Sequence, residues 1–225
     1  MRRVTGVFIV LAAVAWCQPE SLIITGRFAD AYHQAVAIQT AESQALAAQA
    51  ASYQAVYLSV DAEEKGRWLE RAVVAAEQAM ELDSTMVGGH FELARAVGQQ
   101  AVFRGIVENL GTAKMVRELF DTCLELDPDL MEVKVALGQW HLELSQRGVG
   151  SLYGAKRELA LPLIAEGVRA EPERIDFRVE YATALLRTGD VAGARDHLEI
   201  ALGLPVRTAV DVFEQERARR LIAGL

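Results

Sequence analysis

Apolar side chains along most of the chain recur at every third or fourth position, with charged residues between them. This spacing places the apolar residues on one face of an α-helix. The β-branched residues are scattered, and no run of them alternates in the way a β-strand requires. We therefore predict an all-α protein. The predicted helices are 65–82, 86–104, 113–126, 130–146, 155–170, 174–187, 191–202 and 208–223, preceded by 29–58, which is either one long helix or a broken pair.

The residues that separate these helices recur every 44 residues. The pair Asp127-Pro128 ends one helix, because proline lacks the N–H group that a helix interior needs. Asp83-Ser84 and Glu171-Pro172 occupy the same place in the neighbouring units. Small or apolar residues then align in the first helices (Ala50, Ala94, Gly138, Ala182), in the second helices (Ala72, Val116, Ala160, and Ala79, Cys123, Gly167) and, once ten residues are removed, in the last unit (Ala194, Leu198, Ala201). Self-similarity at a fixed period predicts a repeat array.

A glycine inside a predicted helix is unusual, since it costs roughly 1 kcal/mol relative to alanine. Gly138 has this position, and we interpret it as the mark of a closely packed neighbouring helix. A leucine there should overpack the contact. An alanine should be tolerated or even stabilise, because alanine occupies the equivalent positions 50, 94 and 182.

The last unit, Tyr181-Ala182 through Leu185, Gly189, Ala194, Leu198 and Ala201, resembles a tetratricopeptide repeat. The earlier units resemble the same motif with ten additional residues between their helices. This resemblance implies a superhelix of helical hairpins over residues 29–225, with long inter-helix insertions at 104–111 and 145–154. The charged helix 208–223 is then expected to be a polar cap that closes the array.

A narrower resemblance rests on three segments, residues 137–141, 152–154 and 204–208. Through them the chain is similar to bacterial repeat proteins related to the regulator of microtubule dynamics family. Its size and repeat content also resemble the periplasmic T-component of TRAP transporters. The first resemblance implies an interaction protein, and the second implies an accessory component that holds a small ligand.

The N-terminus has the pattern of a secretory signal. Arg2 and Arg3 precede an apolar run, and Ala13-Val14-Ala15 matches the small-residue pattern that signal peptidase reads. We expect a cleaved signal at 1–15, a linker at 16–28 and no membrane span after cleavage, in a periplasmic or secreted protein. An uncleaved anchor is the alternative. Lipidation of Cys17 is left open, since a lipobox has a small residue before its cysteine and this chain has Trp16 there.

Composition and motifs narrow the function. A formal net charge of −8 without a basic block argues against nucleic acid as a partner. No catalytic or nucleotide-binding motif occurs, so we expect a protein that is not an enzyme and needs no cofactor. His90 and His141 lie on different helices and favour ordinary side-chain roles over a metal site. Cys123, aligned with alanine and glycine, is expected to be a small core residue.

The remaining hypothesis concerns binding. Repeat arrays of this kind bind partners along the concave face formed by the first helix of each pair. We expect a protein or peptide partner there, with a small solute as the alternative ligand. Ordinary solvated side chains are the competing interpretation of the same positions. The candidate binding residues are Phe91, Arg95, Gln99, Gln139, Glu143, Thr183 and Arg187.

Overall fold

A computed structural model of the chain describes residues 18–104 and 110–225, and these residues form helices and turns without a β-strand. A π-helical turn at Gln54–Leu58 follows the third helix. Within the described ranges, no helix is sufficiently long and apolar to cross a membrane. The helices are α1 (Pro19–Ile24), α2 (Phe28–Ile38), α3 (Ala41–Tyr53), α4 (Ala62–Leu82), α5 (Val87–Arg104), α6 (Leu110–Leu126), α7 (Met131–Gln146), α8 (Gly150–Tyr153), α9 (Arg157–Ala170), α10 (Ile175–Thr188), α11 (Val191–Gly203) and α12 (Ala209–Ala223).

Four antiparallel helix pairs form the body of the molecule: α3 with α4, α5 with α6, α7 with α9, and α10 with α11. The first helices α5, α7 and α10 begin at Val87, Met131 and Ile175, each 44 residues after the last. This confirms the all-α, tetratricopeptide-like superhelix.

The aligned small residues form the contacts between helices. Ala50, Ala94 and Ala182 are all buried, and so is Gly138. A Cβ atom added to Gly138 would lie 2.6 Å from Ile164 Cγ1 and 2.7 Å from the Ala160 carbonyl oxygen. The expected close approach is therefore present. The expectation that alanine is tolerated at 138 is wrong, because a backbone carbonyl cannot easily move away.

The segment after residue 17 differs from the expected linker. Pro19 begins α1, where its missing N–H is not needed, and Leu22 and Ile23 of this helix are buried. Phe28, at the start of α2, is completely buried. The apolar face of this short helix anchors the segment to the repeats. Six residues are too few to show a helical period in the sequence, so the helix was not predicted. The predicted signal at 1–15 lies outside the described residues.

The helix-forming stretch at 29–58 is a broken pair. Gln39 adopts a left-handed conformation with φ 62° and ends α2. Thr40 then caps α3 by accepting from the Ser43 N–H at 3.2 Å, and Ser43 Oγ accepts from the Thr40 N–H. Of the two insertions, 145–154 contains the short helix α8 between the positive-φ residues Gly148 and Gly154. Most of the other insertion, 104–111, lies outside the described residues.

Helix α12 is more than a polar cap. It packs against α10 and α11 on one side and contacts α1 on the other. Its Phe213 ring stacks on Tyr57 with ring centroids 5.1 Å apart and lies 6.3 Å from the Phe28 ring. The last helix therefore contacts the first part of the chain, and the array closes into a ring.

Candidate functional site

The ring encloses a central chamber of about 840 Å³. Its wall is formed by the first helices α3, α5, α7 and α10, by parts of α4 and α6, and by α12. Because successive first helices face the inside of the superhelix, each repeat contributes side chains to one continuous surface.

Much of this wall is apolar. Side chains from α5, α6 and α7 supply most of it, and Val56 of the π-helical turn and Val210 of α12 extend it across the ring. Val102 and Phe103, near the end of α5, are 59% and 39% exposed, so the apolar surface reaches the solvent at this edge. The principal apolar members are Phe91, Val116, Phe120, Val135, Trp140, Leu144 and Phe177.

A buried ion pair lies within the wall on α5. The Arg95 guanidinium donates to the Glu92 carboxylate and lies 4.8 Å from the centre of the Tyr53 ring. Burial alone would lower the pKa of Arg95, but Glu92 and Tyr53 together outweigh burial and leave that pKa raised. Burial raises the pKa of Glu92, and Arg95 opposes this shift. Each side chain therefore offsets part of the cost of burying the other.

A second polar cluster joins the two ends of the chain. The Tyr57 hydroxyl donates to Glu214 Oε1 at 2.8 Å, and Arg217 donates to Glu214 and, at 2.5 Å, to Glu180. Gln139 Nε2 donates to the same Glu180 side chain at 2.7 Å. Burial raises the pKa of Glu214, partly opposed by Arg217. The cluster connects α7, α10, α12 and the π-helical turn.

Two further arginines connect neighbouring repeats across the wall. Arg174 donates to Glu132 at 2.8 Å and lies 4.1 Å from the centre of the Phe177 ring. Arg187 donates to Glu143 at 2.6 Å. Hydrogen bonds from Arg147 and Arg187 lower the pKa of Glu143, although burial acts in the opposite direction.

Six of the seven candidate binding residues line the chamber: Phe91, Arg95, Gln99, Gln139, Glu143 and Arg187. Thr183 does not. Its hydroxyl donates to the Val179 carbonyl oxygen at 2.7 Å and accepts from Arg217 of α12 at 3.1 Å, so the last helix lies against it. That these residues bind a partner stays a prediction.

Sequence analysis missed the wall residues contributed by the chain ends. Tyr57 and Glu214 lie outside the first-helix pattern, and only ring closure places them beside the repeats. Tyr53 and Phe177 do lie on first helices, so an aromatic residue on these helices was a usable signal.

His90, His141 and Trp140 make structural hydrogen bonds. His141 Nδ1 accepts from the Lys156 N–H at 3.0 Å, and His90 Nε2 lies 2.8 Å from the Ser84 carbonyl oxygen. Trp140 Nε1 donates to the Ala113 carbonyl oxygen at 3.1 Å, so it packs against the preceding repeat. No group of residues suited to a metal ion occurs in the part of the chain that the structure describes. Burial raises the pKa of the Cys123 thiol to about 12, as expected of a core cysteine.

Two buried polar atoms in the chamber wall have no hydrogen-bond partner among the described residues. They are Arg95 Nε, a donor, and Gln99 Oε1, an acceptor. Both side chains belong to α5, one helical turn apart, and both line the chamber. A buried polar atom without a partner costs about 1–3 kcal/mol, so α5 carries a local energetic cost at these two positions.

Solved structures of repeat proteins resemble the chain at low identity. One is a MamA structure designated MSR-1, with 21% identity and a TM-score of 0.42, covering 78% of this chain and 84% of that chain. Another is a MamA structure designated AMB-1, with 22% identity and a TM-score of 0.41, covering 80% of this chain and 82% of that chain. A third is YrrB, described as a TPR protein with an unusual peptide-binding site. It has 15% identity and a TM-score of 0.40, covering 87% of this chain and 84% of that chain. Comparison with curated proteins finds no match.

The family comparison covers nearly the whole described chain. The model of the family described as regulator of microtubule dynamics protein 1-3 matches residues 26–225. This range begins just after α1 and contains every repeat together with α12. The chain therefore belongs to the regulator of microtubule dynamics protein 1-3 family.

Proposed function

We propose that this protein is a binding module that holds a peptide segment of a partner protein inside its central chamber. The observation that carries the proposal is the chamber wall itself. Each of the four helix pairs contributes its first helix to one surface around about 840 Å³ of space. A volume of this order is typical of sites that enclose a ligand, which are about 300–1,000 Å³.

The chemistry of the wall supports a peptide. Apolar side chains offer area for the side chains of a bound segment, and the charged groups are arranged in pairs that leave few free charges. The Phe91 and Tyr53 rings both lie close to the Arg95 guanidinium, with ring centres 5.6 and 4.8 Å away. Rigid aromatic side chains and arginine are the residue types that supply most binding energy at protein interfaces.

A small solute is the second candidate ligand, and ring closure is the observation that favours it. Helix α12 packs against α10 and also contacts α1, so it narrows the opening of the concave surface. A narrowed site suits a small molecule, as expected for an accessory component of a solute transporter. The two candidates differ in what accompanies the protein from cells: a partner protein or a small molecule.

Blocking the chamber tests both candidates. Gly98 lies in the wall, and a Cβ atom added there would have its nearest contact at 4.0 Å, with Val116 Cγ2. Gly98→Leu should therefore fit the helix and fill part of the chamber. Replacing a helix-interior glycine should also raise the stability of the folded chain, by up to about 1 kcal/mol.

The measurement is affinity capture from native cells, with mass spectrometry of the proteins and small molecules retained. We expect Gly98→Leu to lose the bound partner and Gly203→Leu to keep it. Gly203 is the control because it is exposed and a Cβ atom there would meet nothing within 4 Å. Capture of the same partner by Gly98→Leu and wild type would overturn the proposal. A small molecule in place of a protein would establish the second candidate.

The cellular location belongs to the same proposal and rests on residues 2–16 alone. We propose export to the bacterial envelope with cleavage after Ala15. The intact mass of the protein purified from the exported fraction should correspond to a chain that begins near Trp16. A full-length chain confined to the cytosol would contradict export.

A further inference from the structure

We infer that the segment bound in the chamber is uncharged where it crosses the wall, and that Glu143 determines this selectivity by pairing with Arg187. Without Glu143, the Arg187 guanidinium would attract an acidic segment. The inference rests on the proposed function, because it names the chemical class of the segment that the chamber takes.

The Glu143–Arg187 ion pair is accessible from the chamber. Both side chains line the chamber and are 23% and 32% exposed, so a bound segment can touch them. Arg187 donates from Nη2 to Glu143 Oε2 at 2.6 Å and from Nε to Gln146 Oε1 at 2.7 Å. Arg147 donates to the other Glu143 oxygen at 2.6 Å. The Glu143 carboxylate and the Arg187 guanidinium therefore have partners before any ligand enters.

The pair lies at the end of the chamber where the apolar wall reaches the solvent. Glu143 is in the last turn of α7 and Arg187 is in the last turn of α10, at equivalent positions 44 residues apart. Val102 and Phe103 lie in the last turn of α5, the first helix of the preceding repeat. Because the first helices of successive repeats stack side by side in the same direction, their last turns border the same opening. A segment that leaves the chamber over the exposed edge at Val102 and Phe103 therefore passes beside the ion pair.

Charged groups elsewhere on the α10 side of the chamber are also paired. Both carboxylate oxygens of Asp176 accept from Arg174. The two oxygens of Glu180 accept from Arg217 and from Gln139. A charged side chain that entered here would lose water without gaining a free counter-charge, which is costly. An uncharged segment avoids this cost, so the wall discriminates against charged segments of either sign.

Lys65 of α4 does not change this conclusion. It lines the chamber without a carboxylate partner among the described residues, and its ammonium lies 5.9 Å from the centre of the Phe103 ring. Lys65 is half-buried and Phe103 is 39% exposed, so this ammonium lies at the solvent edge. A carboxylate bound there would compete with water, and ion pairs in such places contribute little.

Three peptides that differ only in charge test the inference. They are N-acetyl-Ala-Leu-Gln-Leu-Ala-amide and its analogues with glutamate or lysine in the middle, with binding followed by nuclear magnetic resonance titration of the α7 and α10 amides. Wild type should bind the glutamine peptide about tenfold or more tightly than either charged peptide, because a buried charge would stay unpaired.

Each other result overturns the inference. Equal or tighter binding of the glutamate peptide would assign the chamber to acidic segments, and the same result with the lysine peptide would assign it to basic segments. If no peptide binds but 1-octanol does, the occupant is a small apolar solute. If neither the peptides nor 1-octanol bind, the chamber does not take an uncharged apolar segment.

Glutamine variants of the pair test the role of Glu143. Glu143→Gln leaves Arg187 without a carboxylate, so the affinity for the glutamate peptide relative to the glutamine peptide should rise about threefold to tenfold. Adding Arg187→Gln to Glu143→Gln removes the freed charge and should abolish this gain. The pair is partly exposed, so the melting temperatures of both variants should stay close to that of wild type. A loss of structure alone would not reverse when the second substitution is added.

Glu63→Gln is the matched control because it changes the net charge of the chain by the same amount. It frees Arg67 on the exposed surface of α4, and neither Glu63 nor Arg67 lines the chamber. The relative affinities for the three peptides should stay as in wild type. A gain for the glutamate peptide equal to that of Glu143→Gln would show that overall charge decides, and Glu143 would have no special role.

The inference and the proposed function fail in different ways. If Gly98→Leu abolishes partner capture but wild type binds the three peptides equally, the chamber binds a partner and the charge selectivity is wrong. If Gly98→Leu retains the partner and all three peptides fail to bind, the chamber is not the binding site and both proposals fall.

Discussion

At the scale of single residues, Gly138 has the clearest physical role. The α7 backbone approaches α9 so closely that a methyl group would overlap the Ala160 carbonyl oxygen and the Ile164 side chain. Overpacking in Gly138→Ala should lower the free energy of unfolding by about 1–3 kcal/mol. The higher helix propensity of alanine should offset roughly 1 kcal/mol of this loss. Urea unfolding would measure the net loss.

Gly98→Ala is the control for that substitution. Gly98 also lies inside a first helix, but its nearest neighbour would be 4.0 Å from the new methyl group. The same change should therefore raise stability here by up to about 1 kcal/mol. A gain in stability at both positions would mean that α7 and α9 separate easily, contrary to the packing described above.

Arg95 illustrates what one residue's repeat position leaves out. Its place on a first helix predicts a candidate binding residue, but does not reveal that Arg95 also forms an ion pair with a buried carboxylate. Glu92 is 4% exposed and takes its charge balance from Arg95. The i,i+3 spacing of the two residues is visible in the sequence. The packing of α3 against them is not, because it depends on the tertiary fold.

Arg95→Ala should consequently destabilise the protein by about 3–5 kcal/mol, the cost of leaving one partner of a buried ion pair alone. Arg67→Ala is the control. Arg67 pairs with Glu63 on the exposed surface of α4, where such pairs contribute about 0–1 kcal/mol. Thermal unfolding of both variants decides the matter, and equal effects would show that Glu92 is readily hydrated.

At the scale of elements, the repeat frame predicted most helices because each pair is built from local periodicity. Two parts of the chain were not predicted correctly from composition, and each has a local cause. Alanine, glutamine and glutamate continue through 29–58, yet the chain breaks at Gln39, where the Thr40 and Ser43 capping box starts a new helix. Helix α1 was mistaken for a linker because six residues are too few to display a period.

The beginning of α9 depends on a histidine of α7. Lys156, the N-cap residue of α9, provides no side-chain cap, and its N–H donates to His141 Nδ1. Only a neutral imidazole can accept this bond. Burial, assisted by Arg117, lowers the pKa of His141 below its ordinary value of 6.5.

The sign of the pH effect follows from this shift. Below about pH 6.5 the unfolded chain binds a proton at position 141 more readily than the folded chain, so stability falls as the pH decreases. His197, whose pKa burial also lowers, contributes in the same direction. His141→Asn retains an acceptor and removes the titration, so its unfolding free energy should fall less than that of wild type between about pH 7 and pH 5.

Urea unfolding at several pH values measures that difference in slope. His33→Asn is the control for removal of a histidine, because His33 is exposed on α2 and does not belong to the α9 junction. A His141→Asn slope equal to that of wild type would mean that another group carries the acid sensitivity of the α9 junction.

At the scale of the whole molecule, the repeat period predicts an array but not its closure. Each pair rotates slightly relative to the previous one, and the accumulated rotation decides whether the ends meet. Tyr57 and Glu214, which meet here, are 157 residues apart. Because α12 is rich in charged residues, its sequence indicated a solvated cap, and its aromatic contact through Phe213 gave no local signal.

Closure makes a prediction that an open array would not share. In an open array each repeat contacts only its neighbours, so weakening the last helix affects the last repeat. Here Phe213 stacks on Tyr57 and lies 6.3 Å from the centre of the Phe28 ring. Phe213→Ala should therefore accelerate amide hydrogen exchange in α12 and, equally, in α1 and α2 at the other end of the chain.

Hydrogen exchange followed by mass spectrometry resolves these segments. Val212→Ala, at a neighbouring position that is 50% exposed, should leave exchange at both ends close to that of wild type. In Phe213→Ala, α7 and α9 should keep their protection because their packing does not depend on the seam between the ends. Faster exchange confined to α12 would mean that the two ends of the chain are in contact without being energetically coupled, and the chamber would then open by release of α12 alone.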